Sequence, residues 1–79
     1  MPSEEVYNRI LLLRVERGAS RKDLADALGF HYQTVGYLER GKYNPGLFLA
    51  LRIAEYFNVP MEVVFSLKPF PRLGSEVEK

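Results

Sequence analysis

Apolar residues recur at helical spacing through most of the chain. Val6, Ile10 and Leu13, with the aliphatic stem of Arg17, share one face, which predicts a first helix from about Glu5 to Arg17. Gly18 stops it. Leu24, Ala25 and Leu28 mark a second helix over about 21–28, with Ser20 as N-cap and Asp23, three residues on, completing a capping box. Gly29 supplies a left-handed exit. Val35 and Leu38 then mark a third helix over about 31–40, closed by Gly41. Phe30 is expected to pack between these two helices, and Ala25 is small enough to let them cross closely. After the turn Asn44-Pro45-Gly46, a fourth helix from about Leu47 to Phe57 is expected to bury Leu47, Ala50, Ile53, Ala54 and Phe57. Asn58 ends it, and Pro60 suits the first turn of a short fifth helix through Met61, Val64 and Phe65. Lys68-Pro69-Phe70-Pro71 breaks the pattern, and Gly74 to Lys79 reads as a frayed polar end.

With 79 residues there is room for one small domain, and an apolar share of 47% is ample for its core. The reading is a folded domain over 1–66 and a C-terminal extension over 67–79, partly flexible or interface-forming. The absence of cysteine excludes disulfides and thiolate metal sites. The N-terminus does not resemble a signal peptide and no apolar run is long enough to span a bilayer, so a cytoplasmic location without membrane contact is expected.

A net charge of +1 says little until its distribution is read. Between Arg9 and Lys42 stand Arg9, Arg14, Arg17, Arg21, Lys22, Arg40 and Lys42 against Glu16, Asp23, Asp26 and Glu39, an excess of about three positive charges. Glu4, Glu5, Glu76 and Glu78 hide that excess in the total. So mild a patch favours two copies acting together if the partner is nucleic acid.

The two short helices hinged on Gly29 have the spacing of a helix-turn-helix. From Asn8 to Phe65 the chain resembles the small stand-alone Cro/C1-type (Xre-like) helix-turn-helix regulators. The resemblance is carried by Leu13-Arg14, Glu16-Arg17-Gly18, Leu24-Ala25, Leu28-Gly29, Gln33-Thr34-Val35, Leu38-Glu39, Gly41-Lys42, Asn44-Pro45 and Ile53-Ala54. It implies an all-α fold, a compact five-helix repressor-like DNA-binding domain. It also implies a short terminal β-pairing, for which Val6-Tyr7 and Leu67-Lys68 are the candidates.

The same resemblance assigns positions. The third helix is expected in the major groove of double-stranded DNA, with Tyr32, Gln33, Thr34 and Tyr37 facing bases or groove walls. The amide of Gln33 suits bidentate pairing with adenine. Ser20 and Arg21 are expected to grip a phosphate, His31 to sit at the cap of the third helix, and Arg40, Lys42, Tyr43 and Asn44 to hold the backbone beyond it. Gly36 is expected to allow close approach of a phosphate or a thymine methyl. Arg14 and Glu39 are expected to pair as internal ions. Relatives usually carry glutamine at the position of Arg21, and charged or amide side chains at those of Tyr32 and Tyr37.

No constellation suggests an enzyme: there is no glycine-rich phosphate loop, no nucleophile–base pair, and a single histidine is a poor metal site. No cofactor or metal is expected. The apolar surplus at Phe48, Val64, Phe65, Leu67 and Phe70 suggests a homodimer interface, the alternative being that Phe65 and Phe70 cover the base of the core. The leading reading is a repressor acting as a homodimer on an inverted-repeat operator. An antitoxin with a protein toxin as partner, a restriction controller protein, or an interaction module that has lost DNA binding remain as alternatives.

Overall fold

Asn8 sets the start of the first helix. A computed structural model describes residues 6–70, and in it the chain opens with a two-residue strand, β1 (Tyr7–Asn8), before α1 (Ile10–Glu16). The Asn8 side chain explains the late start. Its Oδ1 accepts the Ile10 N–H at 3.0 Å, while its Nδ2 donates to the Leu38 carbonyl at 2.8 Å. A side chain that takes the first orphan amide of a helix halts the helix there. The expected helix residue Glu5 and the expected frayed end from Gly74 lie outside the described residues.

The remaining elements are α2 (Arg21–Leu28), α3 (Tyr32–Glu39), α4 (Leu47–Phe57), α5 (Met61–Val64) and β2 (Phe65–Ser66). The fold is the predicted five-helix one. The terminal pairing is antiparallel, with Tyr7 opposite Ser66 and Asn8 opposite Phe65. It sits closer to the helices than the expected pairing of Val6-Tyr7 with Leu67-Lys68. The Arg9 N–H donates to the Val64 carbonyl at 2.8 Å and extends the join.

All five helices contribute to one core: Ile10 and Leu13 from α1, Leu24 and Ala25 from α2, Val35 and Leu38 from α3, Ile53, Ala54 and Phe57 from α4, and Val64 from α5. Two arginines close helix ends across the fold. Arg17 donates to the Phe57 carbonyl at 2.9 Å, with its guanidinium 5.6 Å from the centre of the Phe57 ring. Arg52 donates to the Ala27 carbonyl at 3.2 Å near the end of α2. Each satisfies a carbonyl that its own helix leaves orphaned.

Two expectations about burial are corrected. Leu47 is 68% exposed. Periodicity puts it on the side of Ala50, but it stands in the first turn of α4, bordering a recess of about 190 Å³ with Val6, Pro45, Met61 and Phe65. Val64, expected at an interface, is completely buried and belongs to the core. Phe65 packs against that core as well, and Phe70 lies with its ring 4.1 Å from the Arg9 guanidinium. Phe48, 74% exposed, and the exposed Leu67 are the members of the expected interface set that stay open to solvent.

Candidate nucleic-acid interface

The start of α2 is built from two reciprocal hydrogen bonds. The Ser20 N–H donates to Asp23 Oδ2 and the Asp23 N–H donates to Ser20 Oγ, both at 2.9 Å. The Ser20 backbone bond, and then the bond with its side chain, hold the Asp23 carboxyl below the usual aspartate range. One residue earlier in the turn, Lys22 donates to Asp26 at 2.8 Å, and that bond raises the ammonium above the ordinary lysine value.

Gly29, with φ at 82°, ends α2 in the left-handed conformation. Its N–H and that of Phe30 both return to the Ala25 carbonyl, at 2.8 and 3.1 Å. Ala25 is buried at the crossing of α2 with α3. Three residues therefore suffice to turn the chain into α3. His31 is the N-cap of α3, its Nδ1 accepting the Gln33 N–H at 3.1 Å, and its ring stacks on Tyr32 with centroids 4.7 Å apart.

Val35 and Leu38 anchor α3 in the core, which turns its opposite face outward. Tyr32, Gln33 and Tyr37 are exposed on that face and Thr34 is half-buried beside them. Arg40 is the C-cap, its guanidinium 5.5 Å from the centre of the Tyr37 ring. Gly41, at φ 73°, reverses the chain, and the Lys42 N–H returns to the Tyr37 carbonyl at 2.9 Å. Lys42 and Tyr43 are thereby brought alongside Phe30, Thr34 and Tyr37, and the five line an open cleft of about 600 Å³. Asn44 is exposed just beyond.

Glu39 organises the other flank. Arg14 Nε donates to its Oε2 at 2.6 Å and Arg21 Nε to its Oε1 at 3.2 Å. Arg21, the first residue of α2, is thus tethered to α3 through Glu39 while its side chain stays exposed. Gly36 is buried, and the groups that approach it are the guanidiniums of Arg40 and Arg21. Sequence reasoning missed both contacts. A glycine inside an otherwise good helix was the available signal, but the sequence does not say what covers it.

The exposed face of α3 is thus a strip of aromatic and amide groups, with Arg21 and Arg40 on one side and Lys42 on the other. Such a strip offers hydrogen bonds and apolar contacts to base edges, and its flanks offer charge to phosphates. Among the described residues no group of His, Asp or Glu side chains gathers that could hold a metal ion. No helix in the same span is long and apolar enough to cross a membrane.

The helix-turn-helix family profile matches residues 10–64. An uncharacterized HTH-type transcriptional regulator of Archaeoglobus fulgidus is 42% identical over 57 residues, covering 72% of this chain and 81% of that protein. The HTH-type transcriptional regulator YgzD of Bacillus subtilis is 41% identical over 61 residues, or 77% and 92% of the two chains. Among solved structures, the restriction-modification controller protein C.AhdI from Aeromonas hydrophila superposes with a TM-score of 0.65 at 31% identity, covering 70% of this chain and 83% of that one. The chain belongs to the Cro/C1-type (Xre-like) helix-turn-helix family of transcriptional regulators.

Proposed function

We propose that this regulator reads double-stranded DNA with the exposed face of α3 and acts as a homodimeric repressor on an inverted-repeat operator. The observation that carries the reading is the arrangement around α3. Tyr32, Gln33 and Tyr37 project from a helix fixed to the core by Val35 and Leu38, between cationic flanks. Gln33 is the adenine reader, and Thr34 and Tyr37 contact thymine methyls or groove walls. Ser20, Arg21, Arg40, Lys42, Tyr43 and Asn44 hold phosphates, with His31 supporting the first turn of α3.

The patch is mild in charge, which favours two domains binding together. Phe48, Leu51 and Leu67 are exposed apolar side chains suited to such an assembly. A twofold axis through them sets two recognition helices about 34 Å apart, and hence half-sites about 10 base pairs apart. The likeness to C.AhdI supports a second reading, a controller protein of a restriction system.

Selection from random duplex DNA at about 150 mM salt tests the proposal, followed by titration of the enriched duplex. Enrichment of an inverted repeat, with binding lost in Gln33→Ala, is the expected result. A well-folded protein that enriches no duplex overturns it.

A further inference from the structure

Leu11, Leu12 and Val15 are 49%, 51% and 61% exposed, and all three stand within two turns of α1. Ile10 and Leu13 fix the opposite side of that helix in the core, so the three project outward. Neither the exposed face of α3 nor the apolar side chains of α4 account for them. Apolar side chains scattered singly need no partner, but three adjoining ones on one helix face form a patch that calls for one.

The charges beside the patch name its partner. Arg9, the N-cap of α1, and Glu16, its last residue, are seven positions apart, close to two full turns, so they share one flank of the patch. The Arg9 guanidinium lies over the Phe70 ring, a contact with its flat face that leaves N–H groups at its edge. The Glu16 side chain is 59% exposed, and the Arg17 Nη1 paired with it stands 4.0 Å away, beyond hydrogen-bond reach. A flank with a cation at one end and an anion at the other is complementary to itself when a second copy lies antiparallel.

One twofold axis, perpendicular to α1 and beside Leu12, satisfies every pair. It sets Leu12 against its own copy and Leu11 level with Val15 of the second copy. Arg9 and Glu16 are equally far from the midpoint between Leu12 and Leu13, about 5 Å along the helix, so each faces the other's copy. Like flanks meet in an antiparallel helix pair, and both ion pairs therefore form together.

We infer that the outward face of α1 is a self-association surface, closed by an antiparallel contact with α1 of a second copy and separate from the α4 face. A stable interface buries about 800 Å² on each partner, and three half-exposed aliphatic side chains on a seven-residue helix fall well short of that. The contact is therefore weak between free copies. Its use is to join dimers that are already held close, where the effective concentration is high. It requires neither DNA nor the α4 contact in order to form.

Sedimentation equilibrium of Phe48→Glu isolates this surface, because that charge removes α4 from competition. The variant is expected to be monomeric at tens of micromolar and to dimerise reversibly with a dissociation constant of about 1 mM. Adding Arg9→Glu or Glu16→Arg should weaken this association at least about fivefold, and the two reversals together should restore it. Leu12→Asp should abolish it, with the helical spectrum unchanged. A Phe48→Glu protein that stays wholly monomeric at about 1 mM overturns the inference. Association that ignores both charge reversals overturns it as well, and losses that the double reversal does not restore overturn the antiparallel pairing.

Discussion

Arg14 Nε donates to Glu39 Oε2 at 2.6 Å, joining α1 to the end of α3 through a carboxylate whose side chain is only 2% exposed. Arg14 also donates to the Ala19 carbonyl at 3.0 Å, so its guanidinium spans the α1–α2 turn as well. Removing one partner of such a pair leaves the other buried and uncompensated, a loss of about 3 to 5 kcal/mol. Glu39→Ala is therefore expected to destabilise the protein by about 3 kcal/mol, read as a lower urea midpoint with an unchanged m-value. Arg21→Ala removes the second bond to the same carboxylate from a side chain that is 44% exposed, and should cost under about 1 kcal/mol. Equal losses in the two variants would show that Arg14 is not the dominant partner.

Acid should loosen the start of α2. The Ser20 bonds depress the Asp23 carboxyl in the folded chain, so the unfolded chain binds its proton more readily. The stabilisation is fully present above the ordinary aspartate pKa and is lost as pH falls through the lower folded value. Stability measured across the acid range should therefore show a component that Asp23→Asn removes. Ser20→Ala should lower stability by about 1 kcal/mol at neutral pH through the lost cap, and should flatten the same component. Acid profiles that superpose for parent and Asp23→Asn would refute this account.

Elements whose signals are local were legible in the sequence, and contacts across the fold were not. Ser20, Asp23, Gly29, Gly41 and Asn58 act within a turn of themselves, and their caps follow from residue type. Asn8, Arg17 and Arg52 instead bond carbonyls 30, 40 and 25 residues away, so nothing near them in the chain announces the partner. Leu47 shows the limit of periodicity, which names the face of a helix but not whether a neighbour covers its first turn. In the candidate site, the outward residues of α3 follow from the burial of Val35 and Leu38. The closing of Arg21 and Arg40 over Gly36 depends on the α2–α3 crossing and on Glu39 having a second oxygen to offer.

If α3 lies in the major groove, the cleft between Phe30, Thr34, Tyr37, Lys42 and Tyr43 meets the duplex with an apolar wall. The thymine methyl is the apolar group a major groove presents, and α3 offers no arginine or lysine on its exposed face to select guanine. The selected operator should therefore be rich in A·T pairs. Replacing its thymines with deoxyuridine, which lacks only that methyl, should weaken binding about threefold to tenfold at one or two positions per half-site. Tyr37→Ala should bind the thymine and uracil duplexes alike. Undiminished affinity for a fully uracil-substituted operator would rule out methyl contacts.

The exposed leucines and phenylalanine of α4 give the dimer its test. Phe48 stands 74% exposed with the Arg52 guanidinium 5.9 Å from its ring centre, and Leu51 lies one turn beyond Leu47 on the same open side. A charge at Phe48 should prevent two copies from burying this face, while leaving the core of the monomer untouched. Phe48→Glu is expected to sediment as a monomer at tens of micromolar, where the parent is expected to sediment as a dimer, with an unchanged helical spectrum. Its affinity for a single half-site should match the parent's. The gain from joining two half-sites should disappear, because that gain comes from linking two binding events and not from new contacts to DNA. A parent that sediments as a monomer at the same concentration would remove the homodimer from the proposal, and a Phe48→Glu protein that still dimerises would move the interface away from α4.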